Sequence, residues 1–414
     1  MRVLFVVSDW FTHYAPMIPL GWALQSGGHE VRVVCPAGQA GPLADAGLTP
    51  VPVLGGLDMV TQTRLLYYWQ AQGDNRPYPG MPLHPVTGEE LASLDGFSYD
   101  AWFAEHKREI AGAVKANFTG TLAHAREWRA DLVVHDPLSL EGLFAAKATG
   151  VPAVLHAWGP VGTDEQDPLL RLLPPDPAGF FPRHGLGEAG THLVDHVVDP
   201  CPASLAPPTR AHRLPVRFVP YNGPGEMPEW VLEPPARPRV CVIWGASLTR
   251  MFGPRSFVVP DILRALAGLD AEVVLTGIPQ DTAALGAVPA GVRVLERFPL
   301  RFLLPTCSAV VHHGGAGSTM TAVAAGVPQL ALTFAPEQQA NGVRLAATGA
   351  GAHLRGDLAD PAAIRREVAR LLDDPSFATA AARLREENAA RPTPADLART
   401  LAELAEAGSV AAAR

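Results

Sequence analysis

Residues 3–7 are apolar without interruption, residues 16–24 carry apolar side chains at helical spacing up to Gly27-Gly28, and residues 29–34 (His-Glu-Val-Arg-Val-Val) read as a second strand. Strand, helix, strand in so short a span predicts a βαβ unit, which requires parallel strands. Strands of a parallel sheet are covered on both faces, so the first run is apolar throughout and does not alternate. The same rhythm returns as a strand at 132–135, a helix at 140–149 and a strand at 152–155. A second series places strands at 239–244, 272–275, 292–295, 309–312 and 329–332, separated by Ser/Thr, helix-forming and Gly/Pro segments. Two such series predict an α/β protein of two Rossmann-like, doubly wound domains facing across a cleft, with ligands at the carboxyl ends of the strands.

Two stretches break the rhythm. Residues 55–100 hold Tyr67, Tyr68, Trp69, Tyr78 and Phe97 among Pro and Gly with little regular pattern, which predicts a binding loop or lid. Residues 158–195 are also irregular. Prolines crowd from 201 to 237, marking the linker. The tail from 361 to 408 reads as helices interrupted at Pro392 and Pro394. The resulting division is 1–220, 221–390 and a final segment, 391–414.

Composition narrows the function class. The 414 residues are 48% hydrophobic and 18% charged with a net charge of −8, enough apolar material for two cores. The positive charges are scattered, so no nucleic-acid surface is expected. Three lysines (Lys107, Lys115, Lys147) stand against thirty arginines, a bias typical of GC-rich bacterial genomes. Cys35, Cys201, Cys241 and Cys307 lie far apart without metal-ligand spacing and read as buried thiols of a reducing cytoplasm. No apolar run reaches the ~20 residues of a membrane span, and the opening run is too short for a signal peptide. A cytoplasmic protein is the expectation.

Candidate chemistry gathers after the strands. The first strand leads into Ser8-Asp9-Trp10-Phe11-Thr12-His13, without the glycines of a dinucleotide site. His13 lies just before a helix, where an imidazole can take a proton near neutral pH or simply hold structure. Asp136 ends the strand at 132–135. It could orient His13, or cap the helix that follows. The strongest signal is His312-His313-Gly314-Gly315-Ala316-Gly317-Ser318, between a buried strand and an apolar helix. Converging amides and the helix dipole there make an anion site, to which Ser247 could add a hydroxyl. Glu337 and Gln338, at a strand-to-helix loop, could read a ring of hydroxyls, or Glu337 could simply favour a helix N-terminus. No Asp-x-Asp occurs, so no metal is expected at the anion site.

On His13 with Pro16, the stretch 313–318 and the pair 337–338, the chain resembles the antibiotic-type glycosyltransferases of family GT1, with the GT-B fold; residues 12–33 look especially like actinobacterial enzymes that decorate polyketides with deoxysugars. The resemblance implies His13 as base with Asp136 as its partner. It implies a diphosphate cradle of His313, Gly315, Ala316, Gly317 and Ser318 with Ser247 nearby. Phe298, Pro299 and Leu300 would hold the nucleobase, Glu337 and Gln338 the sugar. Tyr67, Tyr68, Trp69 and Tyr78 are the acceptor-binding candidates. The sequence departs from the family at Thr12, where Gly is common, and at Glu337, where Asp is common. The implied activity is inverting, metal-independent transfer of a deoxysugar from a nucleotide diphosphate, TDP by preference, to a hydrophobic polyketide-like acceptor. No resident cofactor is expected; the nucleotide sugar is a co-substrate. An epimerase or hydrolase of the same fold and a non-catalytic nucleotide-sugar-binding partner are the alternatives. Homodimerisation and a helper protein stay open.

Overall fold

A computed structural model describes residues 1–73, 80–277, 283, 285–286 and 288–412; the side chains of 246, 247 and 409–412 are not described. Two compact units share the chain. The first comprises residues 1–57, 102–221 and 390–414, the second 58–101 and 222–389.

The first unit holds a seven-stranded sheet. Its strands are β1 (Arg2–Val6), β2 (Glu30–Pro36), β3 (Thr49–Leu54), β4 (Leu132–His135), β5 (Ala153–His156), β6 (His196–Asp199) and β7 (His212–Pro215), in the order β3-β2-β1-β4-β5-β6-β7. Every pairing is parallel. Val3 and Phe5 face one core, and Leu4 and Val6 the other. The first core includes Leu24 of the Ile18–Ser26 helix together with Leu397, Leu401 and Ala405 of the Pro394–Ala412 helix. The second is built on the Tyr99–Trp128 and Leu140–Thr149 helices.

The second unit repeats the plan with six strands: β8 (Arg239–Ile243), β9 (Glu272–Gly277), β10 (Val292–Glu296), β11 (Ala309–His312), β12 (Gln329–Thr333) and β13 (Gly351–Arg355). Their order is β10-β9-β8-β11-β12-β13, again all parallel. Central strands β8, β11 and β12 are buried along their whole length, as their unbroken apolar runs require.

Three expectations change. The stretch 55–100 is not irregular throughout: Met59–Gln72 is a helix, capped by Asp58, whose carboxylate accepts from the amides of Val60 and Thr61. No Gly or Pro interrupts residues 59–72. This segment belongs by its contacts to the second unit, not to a domain spanning 1–220. Tyr67 packs on Phe252 at 4.7 Å between ring centres, and Arg64 Nε donates to the Arg250 carbonyl at 2.6 Å. The proline-rich region, finally, is not all linker. It contributes β7, and Leu214 and Val216 enter the first core.

The last segment is tied into the first unit by buried charge. Asp199, fully buried, pairs with Arg213 and, at 3.4 Å, with Arg391. Arg391 also donates to the carbonyls of Asp199 (2.7 Å) and Val216 (3.1 Å), while the Arg217 amide donates to Pro392. Arg391→Ala removes these donors from a buried carboxylate and two carbonyls. A loss of roughly 2–4 kcal/mol of unfolding free energy is expected in urea titration. An unchanged midpoint would show that the latch carries no stability.

Candidate functional site

In each sheet the chain order reverses once, between β1 and β4 and between β8 and β11. Connections leave in opposite directions there, so the carboxyl ends of those strands stay uncovered and form the expected ligand position. The candidate residues fall at these two points, and each point is built within its own unit.

At the first, β1 runs through Val7 to Ser8, and β4 ends in His135-Asp136. Asp136 is fully buried. Its Oδ2 accepts from the Ser8 amide at 2.6 Å, and its Oδ1 accepts from the Leu138 and Ser139 amides and the Ser139 hydroxyl at 2.9–3.1 Å. Burial raises the Asp136 pKa, while the Ser8 amide and hydroxyl and the groups of the following turn act against that rise. His13 is half-buried in the one-turn Phe11–Tyr14 helix. Its ring stacks on Trp158 with centres 3.9 Å apart and planes 14° apart. Its Nδ1 meets the Ser8 hydroxyl at 3.3 Å. The expected direct His13–Asp136 contact is therefore corrected. Among the described residues Asp136 serves Ser8 and its own turn, and Ser8 stands between the two. Desolvation pushes His13 down to about 3, so the ring is neutral across the physiological range.

At the second point, β11 ends at His312 and the Ala316–Ala325 helix begins with Gly315 as its cap residue and no side-chain cap. The amides of Ala316, Gly317 and Ser318 thus lack intrahelical acceptors and sit at the positive end of the helix dipole. Gly314 has φ +83, and a Cβ there would lie 2.7 Å from the Thr333 side chain. A Cβ on Gly315 would lie 2.5 Å from the His313 ring. Both glycines are demanded by space, Gly314 also by conformation. His313 is buried with no partner on Nδ1 among the described residues, and desolvation pushes it down to about 3.

The turn is braced from below. His312 Nδ1 accepts from the Gly314 amide at 2.9 Å, and its Nε2–H donates to Gln329 Oε1 at 2.9 Å. Asn341, fully buried, donates to the Gly314 carbonyl at 3.0 Å. His312 and Asn341 were not singled out for roles in the sequence. Their signal is position, one beside the glycines and the other four residues past Glu337.

The remaining candidates divide. Glu337 and Gln338 lie in the first turn of the Pro336–Ala347 helix, and Gln338 Oε1 accepts from the Phe334 amide at 2.9 Å, leaving its NH2 available. Phe298, Pro299 and Leu300 form the turn after β10, held by Arg301, whose amide donates to Asn222 and whose guanidinium donates to the Gly223 carbonyl. Ser247 is on the Ala246–Phe252 helix that follows β8, its side chain undescribed. Tyr68 is corrected: it is buried, with its hydroxyl bonded to the carbonyls of Leu94 and Phe97, and has no face for an acceptor. Trp69 is 61% exposed. Tyr78 lies outside the described residues. No group of three or more metal-ligating side chains occurs among the described residues, and no described helix is long and apolar enough to cross a membrane.

Comparison with known proteins agrees over the whole chain. The profile of the erythromycin biosynthesis protein CIII-like N-terminal domain matches residues 107–245, and that of the C-terminal domain matches 260–404. Tylactone mycaminosyltransferase of Streptomyces fradiae is 35% identical, over 98% of this chain and 92% of that one. 10-Deoxymethynolide desosaminyltransferase of Streptomyces venezuelae is 36% identical, over 98% and 97%. The crystal structure of glycosyltransferase VinC in complex with DTDP superposes with a TM-score of 0.73 at 29% identity, over 98% of this chain and all of that one. The paired parallel sheets are those of the GT-B fold.

Burial pushes His135, His156 and His312 down to about 4, and His13 and His313 to about 3. An unfolded chain protonates these rings near 6.5, so the stability they contribute is complete above that pH and is lost as pH falls toward 4 and below. Glu141, raised to about 7 by burial, and Asp136, also raised, act in the opposite sense. His29, His124, His196 and His353 are lowered as well, as are the carboxyls of Asp58, Asp374 and Asp396, so the melting temperature is expected to fall steadily from pH 6.5 to pH 4. A level profile over that range would contradict the neutral, buried imidazoles.

Proposed function

This chain belongs to the erythromycin biosynthesis protein CIII-like family of actinobacterial antibiotic glycosyltransferases, and on that premise we propose that it transfers a deoxysugar, with inversion and without a metal, from a thymidine diphosphate donor to a hydroxyl of a polyketide-like acceptor. The observation that carries the donor half is the uncapped start of the Ala316–Ala325 helix behind two space-demanded glycines, with the buried, unpartnered Nδ1 of His313 beside it. Backbone amides and a neutral imidazole are donors that need no counter-ion to hold a diphosphate, and they strengthen as charge builds on the leaving group. Solved relatives named as binding thymidine diphosphate support the choice of base. The turn at Phe298, Pro299 and Leu300 takes that base, and Glu337 with the free NH2 of Gln338 takes the sugar hydroxyls.

On the acceptor side, His13 is the general base. It is neutral at working pH, held by Trp158 and Ser8, and takes the acceptor proton on Nε2 as the oxygen attacks the anomeric carbon. The bond to the diphosphate breaks in the same displacement, so configuration inverts. Trp69 offers its exposed ring to the apolar acceptor, while Tyr67, two residues earlier on the same helix, is turned away from it and packs on Phe252. A relative solved with spinosyn aglycone bound supports an acceptor of this class.

His13→Ala is expected to lower turnover by about 10²-fold with the fold retained, and EDTA to leave the wild-type rate unchanged. Wild-type turnover in the variant removes the base assignment, and loss of rate in EDTA removes the metal-free displacement. In thermal-shift measurements thymidine diphosphate is expected to stabilise the protein more than uridine diphosphate, a ligand at 100 times its Kd adding about 2.7 kcal/mol. The reverse order would reassign the donor.

A further inference from the structure

We propose that Ser8 is a positioning residue for the base: its hydroxyl bridges His13 Nδ1 to the buried Asp136 carboxylate and holds the neutral imidazole in the tautomer that carries its proton on Nδ1. The inference rests on the reading of His13 as the base and supplies a link in which the Asp136 carboxylate acts through a serine.

The geometry is specific. Ser8 lies two residues past the end of β1 and is buried. Its amide is pinned to Asp136 Oδ2 at 2.6 Å, which fixes the residue's backbone against the end of β4. Its hydroxyl lies 3.3 Å from His13 Nδ1. Asp136 is an acceptor only, already collecting donors from Leu138 and Ser139. A serine hydroxyl has one proton to give, and the Ser8 hydroxyl, whose own amide is bonded to Asp136 and which acts against the rise of that carboxyl's pKa, would give it to the carboxylate. Toward His13 it then presents a lone pair, so Nδ1 must carry hydrogen and Nε2 the free pair. Trp158 fixes the plane of the ring and Ser8 fixes its edge. When Nε2 takes the acceptor proton, the Nδ1–H bond is already in place. The positive charge is stabilised through the hydroxyl by the carboxylate, with no proton leaving Nδ1.

The test reads the tautomer directly. In long-range 1H–15N spectra of the full-length protein, the His13 resonances are assigned by their loss in His13→Ala. The wild-type ring is expected to be protonated at Nδ1, a preference lost in Ser8→Ala and kept in Ser8→Thr, which retains the hydroxyl. Turnover of a TDP-deoxysugar with a macrolactone acceptor should fall roughly tenfold or more in Ser8→Ala and be largely restored in Ser8→Thr, with the donor KM unchanged. A wild-type ring protonated at Nε2 overturns the proposal, whether or not Ser8→Ala folds. Retention of the Nδ1–H tautomer in Ser8→Ala does so too, as does a Ser8→Thr enzyme as slow as Ser8→Ala. The tautomer is read without substrate, so its failure leaves the transferase reading standing, and that reading is judged separately by His13→Ala.

Discussion

A parallel sheet delivers all its strands to one edge, and where successive connections turn to opposite faces two neighbouring strand ends are left without a covering segment. In this protein those ends are β1 with β4 and β8 with β11. Each exposed end leaves backbone amides and polar side chains that must find partners or remain open to a ligand. The two units answer differently. In the first, a carboxylate draws the ends together by taking the Ser8 amide from one strand and the turn amides from the other. In the second the helix start stays uncapped, and the polar groups beneath it brace the turn without closing it.

Neutral imidazoles recur because of that placement. His135, His312 and His313 stand at or just beyond the ends of central strands, where apolar residues crowd from both faces, and His13 stands in the short helix that follows β1. Desolvation there disfavours the charged ring, so the neutral form is the one that packs. His312 uses both nitrogens internally and serves structure alone. His313 leaves Nδ1 without a partner, and neighbouring residues of the same type thereby take unlike tasks.

Much of the fold was legible because fully buried strands announce themselves. The runs at 132–135, 239–244 and 309–312 lie within a residue of the observed strands, and the 140–149 helix matches at both ends. The Met59–Gln72 helix was hidden by its surface: Thr61, Gln62, Arg64, Trp69 and Gln72 alternate with apolar residues too irregularly to give a clear stripe, and only Asp58 marked its start. Proline density misled around β7, an edge strand that tolerates Pro215 at its end. At the site, spacing singled out His13 and Asp136 individually. The intervening hydroxyl was invisible, since which atom of Asp136 faces which donor depends on the turn that β4 makes into its helix.

The return of the chain to its first sheet has a consequence for biosynthesis. Val3, Phe5 and Leu24 emerge from the ribosome early, yet Leu397, Leu401 and Ala405, which share their core, are made only after the whole second unit. Domains generally fold as they are synthesised, from the N-terminus onward. Here the part of the first core that Leu397, Leu401 and Ala405 fill stays open until the second unit has been translated. The first unit is therefore completed only after the second has been made, and until then that apolar surface is available to chaperones and to neighbouring nascent chains.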